Sequence, residues 1–165
     1  MARSTSPSDF LIREATRPDA AGILLCLSEA FEPYRSRYSL SAFADTVLTS
    51  DTLEQRLRSM SVFVATTPAG EIIGTIGCNL VSAGEGHLRG MAVRHTWQGT
   101  GVAAELLSAA ERELRAMKCS LLTLDTTEPL TRALHFYEKN GYRRSGKVTD
   151  FFGMVLIELV KTLTE

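Results

Sequence analysis

Hydrophobic and polar positions along this chain switch between a period near two and a period near 3.6, and each switch marks an element. Phe10 to Ala15 reads as a first strand. Arg17-Pro18-Asp19-Ala20 then opens a helix, with proline suited to its first turn and Ile23, Leu24, Leu27 and Phe31 on one face. A second helical region covers Ser41 to Thr49 and Asp51 to Met60, and Asp51 with Glu54 three residues on has the spacing of a capping box, aspartate replacing serine. Ser61 to Thr67 and Ile72 to Val81 form a predicted hairpin around Pro68-Ala69-Gly70. The next strand, Glu85 to Arg94, feeds a turn with glycines at 99 and 101. The helix behind that turn sets Val102, Leu106, Ala110, Leu114 and Met117 on one face and Glu111 and Arg115 on its wet side.

Ser120 to Asp125 is the continuous apolar run of a strand with both faces covered. Pro129 suits the first turn of a further helix, Asn140-Gly141 its stop, and Tyr142 to Lys147 with Phe152 to Val160 a closing antiparallel pair. The alternation predicts an α/β fold: a mixed, mostly antiparallel sheet of about seven strands with helices on both faces. A single domain is expected over residues 9–162, behind a flexible polar tail at residues 1–8.

Composition narrows the class. The 165 residues are 44% hydrophobic and 22% charged, ordinary values for a globular domain able to bury a core. A formal net charge of -1 argues against a broadly basic, nucleic-acid-binding surface. No apolar run approaches the ~20 residues that span a bilayer, and Met1 to Ser8 lacks a signal-peptide core, so no membrane partner and a cytoplasmic location are expected. Cys26, Cys78 and Cys119 lie in apolar stretches without a C-x-x-C pair and read as small buried hydrophobes. His87, His95 and His135 show no zinc spacing, so no metal is expected. The sequence leaves a homodimer open.

The stretch from Met91 to Ala104 carries the chemistry. An apolar strand end, a turn with two glycines and an amphipathic helix suit an anion, because the N–H groups of a helix's first turn lack intrahelical partners and the macrodipole is positive there. By itself the pattern is also that of an ordinary strand-to-helix connection. The Walker pattern is absent, since Gly101 is followed by Val102, and G-x-G-x-x-G is met only with Ala104 at its third position.

Gln98-Gly99-Thr100-Gly101-Val102-Ala103 resembles the Q/R-x-x-G-x-G/A motif of the GCN5-related N-acetyltransferases (GNAT), and Ala133-Leu134-His135-Phe136-Tyr137-Glu138-Lys139-Asn140-Gly141-Tyr142 resembles that family's second signature. The resemblance runs from about Phe10 to Leu159 and is weakest between Phe31 and Met60. It implies acetyl-CoA as cosubstrate, with two central strands splayed around its pantetheine arm. Met91, Ala92 and Val93 would pair with that arm; Gln98, Gly99, Thr100, Gly101, Val102 and Ala103 would cradle the pyrophosphate. The implied reaction is direct attack by a primary amine of a small molecule or protein on the thioester.

Tyr137 stands where the family keeps the tyrosine that protonates the leaving thiolate, although its spacing with Leu130, Ala133 and Leu134 is equally that of a core residue. Leu130 occupies the position of a frequent family asparagine. His87 falls where many members keep a glutamate base, and strict alternation would put His87, Arg89, Met91 and Val93 on one side of their strand. Glu85 or a water chain are the other ways of removing the amine proton.

The family's acceptor-covering region corresponds to residues 32–38, so Tyr34, Arg35, Arg37 and Tyr38, with Arg89, are the expected acceptor contacts; the arginines suit a carboxylate or phosphate. Asp150-Phe151-Phe152 offers another wall. Two rivals are a non-catalytic acyl-CoA-binding sensor and an acyltransferase using a longer chain.

Overall fold

The computed structural model describes residues 9–164; the expected tail at residues 1–8 lies outside the described residues. Seven strands form one sheet: β1 (Leu11–Glu14), β2 (Ser61–Thr66), β3 (Ile72–Ser82), β4 (Glu85–Val93), β5 (Leu121–Thr127), β6 (Arg143–Phe151) and β7 (Met154–Thr162). Their spatial order is β1-β2-β3-β4-β5-β7-β6, antiparallel throughout except where β4 meets β5. The helices are α1 (Ala20–Phe31), α2 (Leu40–Thr46), α3 (Ser50–Ser59), α4 (Val102–Ala116) and α5 (Thr131–Lys139). None of the described helices is long and apolar enough to cross a membrane.

Strand alternation divides the core in two. Val62 and Val64 of β2 face α1, α2 and α3, meeting Ile23, Leu27, Phe43 and Leu53. Ile73 and Ile76 of β3 and Leu122 and Leu124 of β5 face the other way, onto Leu106, Leu114 and Tyr137. Val102, Leu106, Ala110 and Leu114 form the buried stripe expected of α4. Cys26, Cys78 and Cys119 are buried free thiols.

Several expected boundaries move for identifiable reasons. Arg17–Asp19 forms a 3-10 turn before α1, tied by the Asp19 carboxylate, which accepts from the Thr16 amide at 2.7 Å and from both Arg13 guanidinium nitrogens at 2.7 and 2.8 Å. The capping box of α3 is built from Thr49 and Thr52 rather than Asp51 and Glu54. Glu54 instead accepts from Arg17 and Arg58.

Met117 ends α4 on the exposed side, 37% accessible, because the helix terminates at Ala116 and Lys118 turns left-handed. Glu111 leaves the wet side: it accepts from Tyr142 Oη at 2.9 Å and Lys161 Nζ at 3.0 Å, joining α4 to β7. Pro129 precedes α5, whose N-cap is Leu130, while Gly141 at φ +95 ends it as expected. The last hairpin turns at Phe152 (φ +51) and Gly153 (φ +86), a two-residue turn that the strand-like aromatic pair concealed. Asp125 also departs from the expected strand with both faces covered, its side chain being 37% exposed.

Candidate active site

The central strands part company. β4 and β5 pair only from Glu85 to Leu88 against Leu121 to Leu124, after which both continue without a further rung between them. The cause lies at Gly90, which takes φ +70, and the ladder to β3 slips between Thr75 and Gly77. A bulge of this kind bends its strand and increases the local twist. A cleft of about 690 Å³ opens where the strands diverge.

The same bulge overturns the expectation that His87, Arg89, Met91 and Val93 share a side. His87 stands opposite Asn79, Arg89 opposite Gly77 and Ala92 opposite Thr75, all on the face toward α1, α2 and α3. Leu88, opposite Cys78, and Val93, opposite Gly74, look toward α4. One inserted residue exchanges the two faces.

Arg94 donates its amide to Ile73 O at 2.9 Å, so strand alternation aims the main chain of Ala92 at β3 and that of Met91 and Val93 at the gap. Of the three residues expected to pair with a cofactor arm, Met91 and Val93 are therefore turned toward it. Ala92 contributes a small side chain beneath α1.

Beyond the strand, Gly99 (φ +77) and Gly101 (φ +94) are left-handed, and nothing stands within 4 Å of where a Cβ would lie. The turn therefore offers open space above backbone amides, continuous with the unpaired first-turn N–H groups of α4. Gln98, Gly99, Gly101 and Ala103 line the cleft. Gln98 is fixed by donating Nε2 to Val93 O at 3.2 Å and by accepting from Arg132 at 3.1 Å, which brings a cation beside the turn. The Thr100 hydroxyl is spent on Trp97 O, and the Val102 side chain is fully buried in the core, so these two offer the turn only their amides. This arrangement fits a pyrophosphate.

His87 lines the cleft with its ring held on one side. His87 Nδ1 and the Thr123 hydroxyl are hydrogen-bonded at 2.8 Å; because that hydroxyl has one proton and donates it to Gly86 O at 3.5 Å, it is assigned as the acceptor from Nδ1. That assignment leaves the lone pair on Nε2, which lies 3.8 Å from Asp125 Oδ2. Burial lowers the His87 pKa below its usual value, with Asp125 opposing; burial likewise raises that of Asp125. Glu85, the second candidate base, accepts from Ser82 at 3.2 Å at the far end of β4 and does not line the cleft.

Tyr137 also lines the cleft. Its ring packs edge-on against Phe136 and Tyr142, and its hydroxyl hydrogen-bonds to no group among the described residues. Burial pushes its pKa up, so it holds its proton at neutral pH.

At the other end, the segment between α1 and α2 divides its residues. Tyr34 and Tyr38 line the cleft with Phe151, and Tyr38 Oη hydrogen-bonds Thr127 Oγ1 at 2.5 Å. Arg35 is committed elsewhere, paired with Glu32 at 2.9 Å and stacked 4.2 Å from the Phe43 ring centre. Arg37 is exposed, and neither arginine lines the cleft. Three guanidiniums do: Arg132 beside the glycine turn, and at this end Arg56 and Arg89, the latter donating to Asp45 at 3.1 Å.

Asp125 and Arg56 escaped the sequence reading. Asp125 reaches His87 because β5 lies beside β4 in parallel, a pairing between segments far apart in the chain. Arg56 reads in the sequence as one more charge on an amphipathic helix.

The model of the acetyltransferase (GNAT) family matches residues 24–142. No curated protein matches the chain. Among solved structures, the chain is similar to the PaiA N-acetyltransferase of Thermoplasma acidophilum in complex with coenzyme A, with TM-score 0.78 and 16% identity, covering 93% of this chain and 99% of that one. A GNAT-family acetyltransferase of Staphylococcus aureus Mu50 gives TM-score 0.77 at 17% identity, over 94% of this chain and 99% of that one. A ribosomal-protein-alanine N-acetyltransferase of Brucella melitensis gives 0.72 at 23%, over 93% and 99%.

Proposed function

The chain belongs to the acetyltransferase (GNAT) family, and we propose that it moves the acetyl group of acetyl-CoA directly onto a primary amine, with His87 as base and Tyr137 as acid. The observation that carries this reading is the convergence of both side chains on the gap between β4 and β5, into which Met91 and Val93 turn their main chain.

The amine nitrogen attacks the thioester carbonyl, and the negative charge on the carbonyl oxygen finds a backbone donor at Val93. Nε2 of His87 takes the proton that the amine must lose, and the imidazolium so formed is stabilised by Asp125. Collapse of the tetrahedral adduct breaks the carbon–sulfur bond, and the Tyr137 hydroxyl supplies the proton that makes free CoA thiol. Direct transfer is favoured over an acetyl-enzyme because burial pushes the thiols of Cys26 and Cys78 up to about 12, leaving them protonated.

The test is a broad panel of amines with acetyl-CoA, following thiol release. Acceptor-dependent release of CoA is expected, with acetylated amine formed in equal amount. Acetyl-CoA binding without release for any amine would leave the fold as an acyl-CoA sensor. Faster turnover with longer acyl-CoA would reassign the donor.

A further inference from the structure

Arg56 enters the cleft from α3 at the point where β4 bulges. A Cβ on Gly90 would stand 2.6 Å from its Nη1, so the guanidinium lies directly over the backbone at the bulge. It is half-buried, yet no hydrogen bond or ion pair engages it among the described residues. Asp45 is the nearby carboxylate, and it already accepts from Arg89 at 3.1 Å. Burial first, and then the like charge of Arg89, push the Arg56 pKa down to about 10. A partly desolvated charge without a partner is costly, and five N–H donors in a planar fork match a carboxylate.

Two further features define what fits. Arg89 and His87 project from the same face of β4, so the proposed base and the paired guanidiniums border one space. Aromatic side chains wall that space on one side: Phe31, Tyr34 and Phe151 line it, Tyr38 is bonded to Thr127 at 2.5 Å, and Ser39 Oγ donates to Phe152 O at 2.8 Å, tying the segment before α2 to the last hairpin. An aromatic wall tied across by these two hydrogen bonds suits a small molecule better than a peptide running through.

We propose that Arg56, assisted by Arg89, binds a carboxylate carried by the acceptor, which makes the acceptor a small amino-acid-like zwitterion. The inference rests on the acetyltransfer reading for the position of the amine, beside His87. It replaces Arg35 and Arg37 as the anion-binding pair, since the first is spent on Glu32 and Phe43 and neither faces the cleft.

The experiment has two arms. In the first, kcat and KM are measured for neutral amino acids, their amides and the corresponding decarboxylated amines, with wild type, Arg56→Gln and Arg56→Lys. In the second, CoA-saturated protein is titrated calorimetrically with N-acetyl amino acids and with their amides, which needs no turnover. Wild type should prefer the acid over the amide by about tenfold or more, mostly through KM, and Arg56→Gln should bring that ratio near one, with partial recovery in Arg56→Lys. Binding of the acetylated acid should weaken in parallel, while acetyl-CoA affinity shows that the fold is intact.

Equal handling of acid and amide by wild type in both arms overturns the proposal. So does an Arg56→Gln variant that weakens both alike, and so does turnover of peptides with no binding of free amino acids. Carboxylate-dependent binding without turnover of any amine would sustain the anion site and remove the acetyltransfer reading.

Discussion

His87 owes its proposed role to two partners at its two ring nitrogens. Thr123 holds Nδ1 at 2.8 Å, and Asp125 lies 3.8 Å from Nε2. Burial depresses the imidazole pKa, so the neutral, basic form persists to lower pH than for a free histidine. For an acceptor whose own amine pKa is known, kcat/KM should rise with pH through a value below the ordinary ~6.5, and His87→Ala should remove that step. Asp125→Asn removes the charge that favours the imidazolium, so the step should move further toward acid. A limb unmoved by both variants would assign deprotonation to water. Tyr137→Phe keeps the ring packed against Phe136 and Tyr142 and deletes only the phenolic proton. Turnover should fall by ~10-fold or more with little change in acetyl-CoA affinity, and unchanged turnover with chemistry rate-limiting would leave Tyr137 as packing. That both line the cleft accords with their motif and position in the sequence. Asp125 and Arg56 were not legible there, because their neighbours are set by strand pairing and helix docking rather than by spacing along the chain.

At the scale of elements, the bulge at Gly90 determines how the site is laid out. It separates β4 from β5, exchanges the faces of the strand and lets Arg56 lie on the backbone. Gly90→Ala must hold an alanine at φ +70 with its Cβ against Nη1, so unfolding free energy should drop by about 1–2 kcal/mol in denaturant titration. Acceptor KM should rise with it. An unchanged midpoint and an unchanged KM would show that β4 tolerates a regular conformation there. An isolated glycine such as Gly90 inside a strand pattern is a sign of a bulge, yet the change of phase was invisible: alternation is legible, but whether one residue is inserted depends on the partner strand. The Thr49 and Thr52 cap was missed because Asp51 and Glu54 share its spacing, and Glu54 is drawn away by Arg17 and Arg58. By contrast, the stripe of α4 and the stop at Gly141 follow from local rules, and both were read correctly apart from Met117.

For the molecule as a whole, two cores on opposite faces hold a sheet whose centre is left partly unpaired. One core ties α1, α2 and α3 to one face of β2, β3 and β4; the other ties α4 and α5 to the opposite face of β3 and β4 and to β5 and β7. Acetyl-CoA seated between β4 and β5 would bridge them, and a ligand selective for the folded state raises its stability by mass action. The most direct measurement is therefore thermal unfolding of wild type and Gly101→Val with increasing acetyl-CoA. At a hundredfold excess over Kd the wild-type midpoint should rise by about 5–10 °C. Gly101→Val places a β-branched side chain at φ +94 in the space above the turn, so its midpoint, whatever its starting value, should not respond. A wild-type midpoint unmoved by millimolar acetyl-CoA, or an equal rise in both proteins, would contradict the account.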